Sequence, residues 1–237
     1  MTGWSAKKFW SEVSVTADGD GYSVRLDDKA VRTPLKAPLL LPTERFADAI
    51  AQEWRAVEET VDPNAMPFTR AANSAIDKIK AQRREVIEML AAYGDSDLLC
   101  YRAEQPQELV DRQEAAWTPW LNWAAEIYGA RLQVTKGILP VSQSDDALEK
   151  LRAPLDALSD FQLTGAHDLI TISGSLVLAL AVVDGALGAD DAWRIARLDE
   201  AWQIEQWGKD DEAEAFAESK RQDFLRALDL VRLSRAS

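Results

Sequence analysis

Residues 22–57 read YSVRLDDKAVRTPLKAPLLLPTERFADAIAQEWRAV, and a change of period inside this stretch decides the fold. Tyr22, Val24 and Leu26 alternate with Ser23 and Arg25, the period-two pattern of a half-buried strand. Asp27 and Asp28 fall where a tight turn belongs, and Ala30–Arg32 resumes as a second strand. From Thr43 the period becomes helical: Phe46, Ile50, Trp54 and Val57 recur on one face. Pro42 and Thr43 suit a helix start, with Glu44 favourably placed against the positive end of the helix dipole.

Working towards the N-terminus, Val13–Val15 is a further short strand, and Gly19 and Gly21 punctuate the first turn. Leu39–Leu41 adds another candidate. Too few residues remain for a large sheet, so a small antiparallel β unit is expected. Five of the nine prolines precede residue 68 and none follows Pro154, so an irregular start should give way to helices. The fold class is α+β, with a small β-rich domain over residues 1–42 and a larger all-helical domain over 43–237.

Working towards the C-terminus, Pro63 and Pro67 bracket a loop, and Ile76, Ile79, Val86 and Leu90 mark a helix that Gly94 can cap. Residues 107–128 form another, with Leu109, Ala116, Trp120, Ala124 and Ile127 inward, a kink at Pro119 and a stop at Gly129. Residues 131–138 read as extended. Helices follow over 145–158 and 161–187, then one capped by Asp190 or Asp191 that ends at Gly208. The last spans 211–232, with Phe216, Phe224, Leu228 and Val231 recurring. Leu169–Val183 is the most apolar stretch, and its 15 residues fall short of the roughly 20 needed to cross a bilayer.

Bulk properties exclude several function classes. The net charge of −13 repels phosphate backbones and anionic lipid, so nucleic acid and membrane insertion are poor partners. Cys100 is the single cysteine, which excludes an internal disulfide and a multi-cysteine metal site. His167 is the only histidine, so no zinc site can rest on several histidines. A serine hydrolase would need His167 with Ser173 or Ser175, yet no G-x-S-x-G elbow surrounds them. No phosphate loop and no dinucleotide fingerprint occurs. Ser173, Gly174 and Ser175 read as a site of close helix packing. No catalytic residue, metal or cofactor is expected.

Tryptophan is the unusual feature, with six of nine after residue 100. Such residues fill cores and also anchor interfaces. With 100° between successive residues from Asp191 to Trp207, Ile195, Leu198 and Trp202 fall on one side. Trp193, Arg197, Glu200, Ile204 and Trp207 fall on the other, and Asp199, Gln203 and Gln206 lie on a polar flank. A surface helix usually carries one apolar stripe. Two imply either a central helix or a face that awaits a partner. Arg197 and Glu200, three apart, either pair in solvent or mark specificity inside an apolar contact.

The run RLDEAWQIEQWG over residues 197–208 resembles a hallmark segment of the ATP synthase assembly-factor family that chaperones the α subunit of the catalytic head. Other pieces keep the family's order: Phe9-Trp10 before Val13–Val15, Val24–Asp27 before Arg32–Pro34, Glu53-Trp54, and Asp97–Arg102 before Trp117. The resemblance covers residues 9 to 230. It implies an ATP-independent chaperone that holds free α until β replaces it, with α as partner. It also implies a critical acid in the C-terminal segment, either Asp199 or Glu200, of which the helical face favours Glu200. The partner-binding residues are then Glu200, Asp199, Arg197, Trp193, Ile204 and Trp207. Trp54 matches a family tryptophan, and its spacing gives it a structural role. With no signal or transit peptide expected at the N-terminus, the expected compartment is the bacterial cytoplasm and the expected state a monomer. Two alternatives stand beside this: an acidic helical module for another protein partner, and the hydrolase built on His167.

Overall fold

The computed structural model describes residues 7–137 and 139–235. Four strands, β1 (Val13–Asp18), β2 (Gly21–Leu26), β3 (Lys29–Ala30) and β4 (Leu40–Leu41), make the antiparallel N-terminal sheet. β1 and β2 form a hairpin that pairs Val13 with Leu26 and Asp18 with Gly21. Gly19 closes it at φ 58°, a left-handed conformation that glycine adopts without steric cost. β3 and β4 both pair with β2. The second strand read at Ala30–Arg32 is shorter and earlier than expected: Arg32 makes only an isolated bridge to Pro38. Pro34 and Pro38 lack the N–H that a longer ladder would need.

α1 (Glu44–Arg55) starts as read, with the Thr43 hydroxyl accepting from the Phe46 N–H at 3.1 Å. Its Phe46, Ala47 and Ile50 join Val24, Leu26, Leu41 and Trp10 in one buried cluster. Trp54 is half-buried, its ring edge-on to Trp10 at 5.2 Å.

The next helix departs from expectation. Pro67 does not close a loop; it opens α2 (Pro67–Ser74), where its fixed φ suits a first turn. A π-helical turn follows at Ala75–Ile79, and α3 (Arg83–Ala91) starts afresh after a turn at residues 80–82. Grouped by contact, the chain forms two compact units. One is Met1–Arg83 with Ser159–Gly165 and Asp229–Ser237; the other is Arg84–Leu158 with Ala166–Leu228. The apolar pairs Ile76/Ile79 and Ile87/Leu90 therefore belong to different units, and no single helix face has to carry both. α1 belongs to the first unit because its apolar face completes the core under the sheet.

The second unit is helical apart from one short parallel pairing of β5 (Tyr101–Arg102) with β6 (Thr135–Lys136). β6 lies in the stretch read as extended, of which Ile138 falls outside the described residues. α4 (Gln107–Ile127) buries Gln113, Trp117, Leu121 and Ala124; of the face read from sequence only Ala124 is fully buried, and Ile127 is 57% exposed. Trp117 decides the phase: it is fully buried and donates its indole N–H to the Ile195 carbonyl at 2.9 Å. α5 (Asp145–Asp156) is capped by Ser144.

The 161–187 segment is two helices, α6 (Asp160–Ser173) and α7 (Leu176–Val183). Gly174 breaks it at φ 70°, and Ser175 caps α7. The Ser-Gly-Ser run is thus a helix break, not a packing notch. Every residue of α7 is buried, as an all-apolar helix requires. Likewise 189–207 is broken at Arg197 into α8 (Ala189–Ala196) and α9 (Leu198–Trp207), and Gly188 rather than an aspartate stands at the cap. α10 (Asp211–Leu233) is the last helix; Phe224, Leu228 and Val231 are buried, but Phe216 is 65% exposed. Among the described residues no helix is long and apolar enough to cross a membrane.

Candidate functional site

α8, α9 and the first half of α10 build the site. The Trp193 ring tilts against Phe224 with centroids 6.1 Å apart, which holds it half-buried at the foot of a groove. The Arg197 guanidinium lies over that ring at 5.2 Å, a cation–π contact, and reaches Glu200 at 3.8 Å. Ile204 and Trp207 continue the line along α9, and Trp207 is 79% exposed. These five residues, assigned to one face by helical spacing, line one groove of about 510 Å³, and so does Gln203, which the spacing assigns to the polar flank. Ala213 and Ala217 of α10 form its other side. The break at Arg197 leaves the face intact. A second concavity of about 670 Å³, lined by Arg112, Ala116 and Ala201, shares Trp193, Arg197 and Ile204 with the first.

Asp199 is not on this face. Its carboxylate accepts from the Gln113 amide at 2.7 Å, and the Gln113 carbonyl accepts in turn from the Ala103 N–H at 2.8 Å. Gln113 and Arg102 are both buried. Arg102 stacks on Trp117 at 5.2 Å, donates to the Leu99 carbonyl at 2.8 Å and reaches Glu114 at 3.5 Å. Burial pushes its pKa below the usual value; the charges of Glu114 and Asp199 oppose that. Asp199 therefore ties α9 to α4 inside the unit, and Glu200 faces the groove. The far side of α9 is core: Trp202 is only 7% exposed, under the Arg112 guanidinium at 4.7 Å.

The α10 side of the groove does not emerge from the helical spacing. The spacing shared with Phe224 and Leu228 predicts Phe216 inward, yet it is exposed. Ala213 and Ala217, four apart and flanked by Glu214 and Glu218, were the available signal.

The serines and the histidine of the hydrolase alternative each have other hydrogen-bond partners. The Ser173 hydroxyl donates to the Leu169 carbonyl at 2.6 Å, and the Ser175 hydroxyl donates to Asp97 at 2.8 Å. His167 pairs with Asp168 at 2.9 Å. Asp97 is fully buried and also accepts from the Leu99 and Val177 N–H groups, so it caps the N-terminus of α7. Burial pushes its carboxyl up to about 6 against the pull of those donors. Burial likewise raises the Cys100 thiol to about 12, which keeps it protonated and inert.

A model of the ATP12 chaperone protein family matches residues 7–125. The mitochondrial atp12 protein of Schizosaccharomyces pombe is 24% identical over 221 residues, covering 88% of this chain and 76% of that protein. The crystal structure of Atp12 from Paracoccus denitrificans is similar at 47% identity and a TM-score of 0.93, covering 97% of this chain and 99% of that one. A protein from Agrobacterium tumefaciens is similar at 38% identity and a TM-score of 0.90, covering 97% and 86%.

Proposed function

The chain belongs to the ATP12 chaperone family, whose members assist ATP synthase assembly, and we propose that its client is the free α subunit of the synthase's catalytic head. A free subunit exposes apolar surface meant for its neighbours, and such patches drive aggregation. A holding chaperone must offer a complementary surface and needs no bond-making. The observation that carries this is the Trp193–Arg197–Glu200–Ile204–Trp207 groove: an exposed tryptophan and an isoleucine stand beside an ion pair on a helix whose other face is already core. Tryptophan and arginine are the residues that most often anchor protein interfaces. On this reading Asp199 supports the site from behind, Trp54 supports the first unit, and the protein works as a monomer in the bacterial cytoplasm.

The test is co-expression with the cognate α subunit, followed by gel filtration of the soluble fraction. The expected result is soluble α that co-elutes with this chain, while β expressed alone does not. Aggregated α with no co-elution would overturn the proposal and leave an acidic helical module for a different partner.

A further inference from the structure

The groove between α9 and α10 has two properties that together say what fits it. Its lining includes an apolar set: Ala213 and Ala217, small side chains four apart on α10, with Ile204 and Trp207 of α9. Its surroundings are acidic. Residues 197–221 hold eight carboxylates and four cations, Arg197, Lys209, Lys220 and Arg221; of the carboxylates, Asp199 faces inward and Glu205 pairs with Arg112 at 2.7 Å. The imbalance extends to the unit around it. The first unit has 14 basic and 14 acidic residues, and the second has 13 and 26, so the whole net charge of −13 belongs to the unit that carries the groove. The cations lining the groove are already engaged, Arg197 with Glu200 at 3.8 Å and Lys209 with Glu214 at 2.8 Å. Asp210 adds negative charge to the lining, and Glu218 lines it while paired with Arg221 at 3.2 Å.

We propose that this groove seats an amphipathic helical segment of the client, with large aliphatic residues on one face and Lys or Arg along both edges of that face. This deepens the chaperone reading and rests on it. A helix suits the site because the groove runs between two helices whose backbones are already paired internally. An extended segment would find no ladder partner there and would bury unpaired N–H and C=O groups, whereas a helix satisfies its own. The alanine pair lets such a helix approach closely, as ridges pack into grooves. The carboxylates select basic flanks and also disfavour a second copy of this chain, which would place the same acidic patch against itself.

Full-length protein is titrated against three labelled synthetic peptides, read by fluorescence anisotropy. The first is a helix with a leucine stripe edged by lysine. The second replaces each lysine with glutamate, and the third scrambles the first at constant composition. The leucine–lysine helix should bind at least about tenfold tighter than either control, on the scale of one interface anchor. Ala217→Arg, which fills the wall, should weaken it about tenfold. So should Glu214→Lys, whose exposed site leaves folding intact, as circular dichroism would confirm. Equal binding of the scrambled peptide would reduce the effect to general charge attraction and overturn the proposal. Binding unchanged by both variants would place the peptide elsewhere and overturn it too, as would a dimer in sedimentation that Ala217→Arg abolishes. Co-elution of α is followed in parallel. If α is retained by the wild type and by both variants alike, the groove proposal falls and the chaperone reading stands. If the peptide preferences hold but α is not retained, the groove stands and the client's identity falls.

Discussion

Two adjacent carboxylates, Asp199 and Glu200, have different surroundings, Gln113 for the one and the groove for the other, and their loss should fail in different ways. Glu200 lines the open groove and pairs only loosely with Arg197. Glu200→Lys should lower recovery of soluble α and leave the melting temperature within about 1 °C, since exposed pairs contribute little to stability. Unchanged recovery would remove Glu200 from the interface. Asp199→Ala instead strips the acceptor from buried Gln113 and a charge from near Arg102. A loss of about 1–3 kcal/mol on chemical denaturation is expected, the cost of an orphaned buried donor. Trp54→Arg should cost at least about 2 kcal/mol, because it removes the ring against Trp10 and puts an unpaired charge among apolar groups. An unaltered melting temperature would show that the pairing with Trp10 contributes nothing. Asp97 is the residue whose effect depends on pH. Its folded pKa of about 6 exceeds the unfolded value of 3.8, so the native state holds the proton more tightly and ionisation costs stability. This contribution grows as pH falls through 6 towards 4. Wild type should therefore gain about 1 kcal/mol over Asp97→Asn between about pH 7 and pH 5; a constant gap in paired urea melts would mean that the capping N–H groups outweigh burial.

At the scale of elements, the helix breaks matter more than the helices. Gly174, at φ 70°, lets α6 stop and α7 start with its N-terminus against Asp97 and Ser175. A Cβ there would meet only the Leu98 Cβ at 4.0 Å, so the site has room and the constraint is the backbone. Gly174→Ala should cost about 1–2 kcal/mol from left-handed strain alone, measurable in urea. No change would mean that the turn can relax to negative φ. The break at Arg197 does other work: the residue leaves helical conformation at ψ 24° and its guanidinium lies over Trp193, between α8 and α9.

At the scale of the whole molecule, charge is partitioned: one unit is neutral and the other carries the full −13. Client capture should therefore weaken with salt. Between about 0.01 M and 1 M ionic strength the screening length shrinks from about 30 Å to about 3 Å. Retention of α by the wild type should fall severalfold over that range, and less in Glu214→Lys. A flat salt response would assign capture to apolar contact alone.

The sequence by itself determined the class of the fold and which residues between Trp193 and Trp207 share a helix face. The alternation at Tyr22–Leu26, the cap at Thr43 and the spacing from Trp193 to Trp207 are local signals. Local periodicity is enough to phase a strand or a short helix. It did not reveal which of several apolar faces finds the core. Trp117 rather than Trp120 is buried on α4, Phe216 is exposed while Phe224 is not, and Asp199 faces inward while its neighbour faces the groove. Those choices depend on partners distant in the chain: the Ile195 carbonyl for Trp117, Gln113 for Asp199, Trp193 for Phe224. Burial and hydrogen bonding are settled by whichever residues the fold brings together, so only the tertiary structure could decide them.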